Sequence, residues 1–105
     1  MKSKRSKACD ISQKVKKVVW KRDRQQCIIC GNPYAMPNSH YITRAQGGLG
    51  IEQNIVTMCI DCHNAYDNGN DTDKKEDIKK KIEKYLSNLY KDWNKENLKY
   101  DKWRN

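Results

Sequence analysis

The chain has no phenylalanine, and its 105 residues include only two prolines, five glycines, two histidines and 13 acidic residues against 22 Lys+Arg. It also lacks any long apolar run: the longest is Cys27-Ile28-Ile29-Cys30, far short of a membrane span or the apolar stretch of an export signal. A chain this short makes one domain at most, and with 36% hydrophobic residues it buries a thin core, so a staple is expected. Five cysteines are present to supply it. No membrane association and a cytoplasmic location are the expectations, and where thiols stay reduced, paired cysteines favour a metal over disulfides.

Acidic residues are scarce unevenly. Residues 1–26 hold ten Lys/Arg and only Asp10 and Asp23, a balance of +8, whereas residues 27–69 hold Arg44 alone against Glu52, Asp61 and Asp67. Residues 70–105 add +3 to reach the total of +9. A basic head and a mildly basic tail therefore flank a centre with no excess cation, where a metal ion would meet no repulsion. The arms are expected to meet a polyanion through salt-sensitive contacts, although a lysine-rich helix face is also simply a solvated one.

Ser12 can cap a helix running to about Arg24, with Val15, Val18 and Val19 on one side and Lys14, Lys16, Lys17 and Lys21 on the other. A second amphipathic pattern starts with Asp73 as cap and Glu76 three residues on, and Ile78, Ile82, Tyr85, Leu86, Leu89 and Trp93 mark its apolar stripe. That stripe reads as a packing brace, and the tail residues Trp93, Tyr100 and Trp103 are also available to a protein partner. Between the two patterns, Gly31, Pro33, Pro37 and Gly47-Gly48-Leu49-Gly50 exclude long helices and leave short strands and loops. The basic opening, residues 1–10, is expected to be disordered.

Cys27-x-x-Cys30 and Cys59-x-x-Cys62 are two knuckles separated by 28 residues, and such a pair closes tetrahedral thiolate coordination around one zinc ion. Cys9 is left over as a bystander thiol. Cys59 to His63 also match the attachment pattern of c-type haem, but that would leave the first knuckle without a purpose. Four cysteines need no histidine to complete a zinc site. His40 and His63 are therefore free for metal binding or proton transfer near neutral pH.

The residues Cys27 to Cys30, Ser39-His40-Tyr41-Ile42, Arg44, Gly47-Gly48-Leu49, Asn54 and Cys59 to His63 together resemble the HNH endonucleases with a zinc-bound ββα-metal (His-Me finger) fold. The layout is especially similar to small HNH proteins of phages and related bacterial elements, and the resemblance covers about residues 15 to 68. It implies an α+β fold: a Cys₄ zinc site on a small ββα-metal core, flanked by an N-terminal helix and a long C-terminal helix. Residues 11–70 would form the HNH domain and 71–105 a helical extension packed on it, in a bacterial or phage-infected cell. It implies a metal-dependent DNA endonuclease or nickase acting on double-stranded DNA. In it His40 is the general base, Asn54 fixes the inter-strand loop, and His63 is a ligand of a catalytic Mg²⁺ or Mn²⁺. Ser39 stands where many members carry an aspartate ligand, and Asp67, four residues after His63, is the candidate replacement, with Ser39 itself as a weaker ligand. Arg44, Lys14, Lys17, Lys21 and Arg22 are the candidate phosphate contacts. The alternatives are a catalytically silent zinc-ribbon module that binds nucleic acid and an accessory factor of a phage DNA-packaging machine.

Overall fold

The computed structural model describes residues 3–101, so Trp103 and the first two residues of the head lie outside the described part. In chain order the elements are α1 (Lys4–Cys9), α2 (Gln13–Arg22), β1 (Ala35–His40), β2 (Ile55–Cys59), α3 (Ile60–Asp67) and α4 (Thr72–Leu89). Together they make a small mixed α+β unit around one antiparallel two-stranded sheet. Among the described residues no helix is long and apolar enough to cross a membrane.

The head departs from the expected disorder. Ser3 caps α1 by accepting from the Ser6 amide, and Cys9 at its end is 2% exposed. Burial of that thiol, together with hydrogen bonds from Arg5 to the Arg44 and Ala45 carbonyls, holds a helix too short to persist alone. Helix α2 is capped by Ser12 as its sequence indicates, but it stops at Arg22, two residues before the expected end, because Arg24 and Gln25 take left-handed φ of 60° and 58°. Val19 is buried whereas Val18 is exposed, so the buried face is narrower than the valine pattern suggests.

Strand β2 is buried along its whole length, which a two-stranded sheet achieves only when both faces are covered. Helix α2 packs on both strands, and α3 packs on β2 and α4. The strands pair Met36 with Met58 and Ser39 with Val56, a shift that leaves Pro37 and Asn38 opposite Thr57 alone. Proline has no amide to give the ladder, and a bulge is where a strand tolerates it. The bulge re-aims the end of β1, where Ser39 and His40 lie. In the connection between the strands Gly47 adopts a positive φ of 85° and Gly48 does not.

Helix α4 is capped by Asp71 rather than Asp73: the Lys74 amide donates to Asp71 Oδ1 at 3.0 Å. Asp73 then falls in the first turn, where its charge suits the helix dipole. Ile78, Ile82 and Leu86 are buried, but the helix ends at Leu89, which is exposed. Trp93 follows in a turn, donating from Nε1 to the Gln53 carbonyl at 2.8 Å and stacking tilted on Tyr41 at 5.5 Å. A bridge between Gly48 and Lys99 and the bond from the Tyr100 amide to the Gly47 carbonyl lay the rest of the described tail on the inter-strand connection.

Candidate functional site

The two knuckles meet at one end of the sheet. The first is tied to β2 by the Ile28 amide, which donates to the Thr57 carbonyl at 3.0 Å, and it closes with the Gly31 amide on the Cys27 carbonyl. The second joins β2 to α3, with Cys59 as the helix N-cap and its sulfur accepting from the Cys62 amide at 3.4 Å. The four sulfurs lie within 4.8 Å of one another, and Cys30 and Cys59 are 3.6 Å apart. Tetrahedral zinc with sulfur ligands at about 2.3 Å needs sulfurs roughly 3.8 Å apart, so the cluster can hold a metal ion such as zinc.

The chemistry of the donors agrees. Burial works to raise the Cys27 thiol, but backbone amides of Cys30, Cys59 and Ile29 donate to its sulfur and bring it down to about 7. Burial and the neighbouring thiols push Cys62 up. One thiolate forms readily and its neighbours then resist ionising, a conflict that a cation resolves. Cys9 is buried elsewhere and is not part of this cluster.

Beside the knuckles an open cavity of about 850 Å³ is lined by both histidines, His40 and His63, with Asp67, Lys16 and Arg44 among the other walls. His63 stands on the first turns of α3, one residue after Cys62, so the thiol cluster that anchors the helix start also aims this ring. Ser39 Oγ lies 2.8 Å from His63 Nδ1 and Asp67 Oδ2 lies 3.4 Å from His63 Nε2. Ser39 is fully buried. Its hydroxyl therefore supports His63 from behind rather than opening to the cavity as a ligand. When Nδ1–H donates to that hydroxyl, the Nε2 lone pair faces Asp67.

His40, at the end of β1, has Nε2 2.8 Å from the Cys9 carbonyl oxygen. Burial pushes the imidazole below its ordinary range; the Cys9 carbonyl and Asp67 oppose the shift, and Arg44 and His63 add to it. Its side chain is therefore neutral near neutral pH and able to accept a proton. Asn54 is fully buried: its Oδ1 accepts from the Ile42 amide at 2.8 Å, and its Nδ2 donates to the Ile42 and Leu49 carbonyls. These bonds draw the two ends of the inter-strand connection together beside His40.

Two expected phosphate contacts are engaged elsewhere. Arg22 is turned inward, bidentate on Asp23 and donating to the Glu52 and Ile55 carbonyls and to Tyr90, so it belongs to the core rather than to a DNA surface. Arg44 reaches the cavity, but its guanidinium is bonded to the Cys9 carbonyl and Asp10. Lys14, Lys17 and Lys21 are exposed on α2, and it is Lys16, from the same helix, that lines the cavity. The sequence reading missed Asp10, Asn38, Thr43 and Asn68 as cavity walls. Only Asp10 carried a signal, as an acid in a basic run.

No protein-family model and no solved structure matches the chain. A stretch of 58 residues, 54% of this chain, is 33% identical to Anaredoxin from Nostoc sp. and spans 76% of that protein. With a third of the positions shared across three quarters of that relative, the chain belongs to the same family as Anaredoxin.

Proposed function

We propose that this protein is a metal-dependent DNA endonuclease or nickase of the HNH type, with β1, β2 and α3 as its ββα-metal core and the four cysteines as its zinc staple. The observation that carries the reading is the placement of His40, His63 and Asp67 around one open cavity, with His63 held between Ser39 and Asp67. A nitrogen and a carboxylate oxygen 3.4 Å apart, beside space for several waters, fit a divalent ion that keeps part of its hydration shell. His63 and Asp67 would hold Mg²⁺ or Mn²⁺, which when bound neutralises charge building up on the phosphate and the departing 3′ oxygen. His40 takes the proton from the attacking water, a task suited to a half-buried, neutral imidazole on the cavity wall. Asn54 holds the connection beside it. Lys16, with Lys14, Lys17 and Lys21 along the same helix, positions double-stranded DNA by its phosphates.

A supercoiled-plasmid assay tests the proposal. Metal-dependent nicked circles that vanish with EDTA and fall roughly 100-fold or more in His40→Ala are expected, with fold and thiol-bound metal unchanged in that variant. No conversion with any metal would leave a silent nucleic-acid module, and no salt-dependent DNA binding would leave a protein-binding accessory factor.

The exposure of Cys30 favours a second reading, in which the thiol cluster takes iron and passes single electrons through that ligand. Metal analysis and a visible spectrum decide it, since zinc tetrathiolate is colourless.

A further inference from the structure

The Ala8–Asp10 segment, between α1 and α2, crosses the wall of the cavity and is fastened there from several sides. The Gly50 amide donates to the Ala8 carbonyl at 2.9 Å. Arg44 grips the crossing with both terminal nitrogens, Nη1 on the Cys9 carbonyl at 2.9 Å and Nη2 on Asp10 Oδ1 at 2.8 Å. Cys9 itself is 2% exposed. The same Cys9 carbonyl oxygen lies 2.8 Å from His40 Nε2. A carbonyl oxygen has no proton to give, so the proton of this hydrogen bond belongs to Nε2. The opposite tautomer would turn a nitrogen lone pair onto the carbonyl and lose the bond.

We propose that this crossing is a positioning element for His40: the Cys9 carbonyl, bolted by Arg44, holds the ring as the Nε2–H tautomer and leaves Nδ1 as the proton acceptor. Arg44 then acts on His40 through the carbonyl that it shares with it. It is a positioning residue rather than the free phosphate contact that its place in the sequence suggests. The consequence for rate rests on His40 being the base proposed above, whereas the tautomer does not.

Gly50 provides a way to lift the crossing without altering a residue of the cavity wall. A Cβ at that position would lie 2.0 Å from the Asp10 carbonyl oxygen and 3.0 Å from that of Cys9, so Gly50→Ala must push the segment away. Arg44→Gln loosens it from the other side. In the metal-loaded full chain labelled with ¹⁵N-histidine, long-range ¹H–¹⁵N correlation at a pH where the rings are neutral should show wild-type His40 as Nε2–H. Both variants should show a mixture of tautomers at His40, an unchanged pattern at His63, and nicking slowed roughly 10- to 100-fold, with KM for DNA unchanged in Gly50→Ala. An Nδ1–H pattern in wild-type His40 would overturn the inference. So would a wild-type tautomer and rate in the variants, and if Gly50→Ala does not fold, Arg44→Gln decides alone. A wild-type chain that nicks no DNA would sink the nuclease reading, yet loss of the tautomer in the variants would still support the crossing.

Discussion

The two ends of the small sheet are fastened by different chemistry. At one end four thiols gather within 4.8 Å on two knuckles. At the other, Arg22 and Asp23 form an ion pair with side chains 11% and 0% exposed, and around it Tyr85 donates to Asp23 while Tyr90 and the Ile55 carbonyl accept from Arg22. The Thr57 amide also donates to Asp23 at 2.8 Å. The thiol end needs a cation from outside before its ligands can all ionise. The ionic end is complete in the polypeptide: both charges are taken from water and then matched by bonds from α2, β2 and α4. One fastening can be closed by a metal ion and joins β2 to α3, which carries His63, whereas the other is complete in the polypeptide and holds the tail helix.

Breaking the thiol end should have the larger effect. Structural zinc contributes about 10–16 kcal/mol to small thiolate domains, and a domain of this size has a total stability of roughly 5–15 kcal/mol. Cys30→Ser or Cys62→Ser should therefore release the metal and unfold the sheet and α3. Metal analysis with far-ultraviolet circular dichroism checks this, and a folded, metal-free variant would show that the ionic end suffices alone.

Breaking the ionic end should weaken the fold without emptying the thiol cluster. Asp23→Asn leaves the Arg22 guanidinium buried without its counter-charge, and removing one partner of such a pair typically costs about 3–5 kcal/mol. Urea unfolding of the metal-loaded protein measures it. A loss under about 1 kcal/mol, the range of surface pairs, would mean that Arg22 escapes to water and that the two ends are less alike in weight than their bonding implies.

The thiol end was legible in the sequence because its information is local: two C-x-x-C spacings state both the ligand set and the turn. The closeness of His63 and Asp67 was legible for the same reason, since they stand one helical turn apart. The arginines were not. Charge composition gives the sign of a surface but not the direction of a side chain, and both Arg22 and Arg44 point to partners that periodicity does not reveal. A usable signal existed, since Asp10 and Asp23 are the only acids among the first 26 residues, and each pairs with one of these arginines. An isolated acid in a basic run is a candidate partner for a particular cation. Helix α1 was illegible because nothing in six residues of low apolar content announces that Cys9 will be buried against another part of the chain.

The smallest expected effect lies where the two fastenings meet. Thr57 takes a bond from the first knuckle at its carbonyl and gives one to Asp23 from its amide, yet its Oγ1 is buried without a hydrogen-bond partner among the described residues. A buried hydroxyl left unpaired costs about 1–3 kcal/mol, and replacing it with a methyl group of the same shape recovers part of that. Both backbone bonds survive Thr57→Val, so the substitution changes neither fastening directly. It should raise stability by about 1 kcal/mol and the melting temperature by roughly 4 °C or more, read by thermal unfolding of the metal-loaded protein. A lower melting temperature would mean that Oγ1 has a bonding partner, such as a buried water in the gap opposite Pro37 and Asn38. The bulge would then be a hydrated joint between the two ends rather than a dry one.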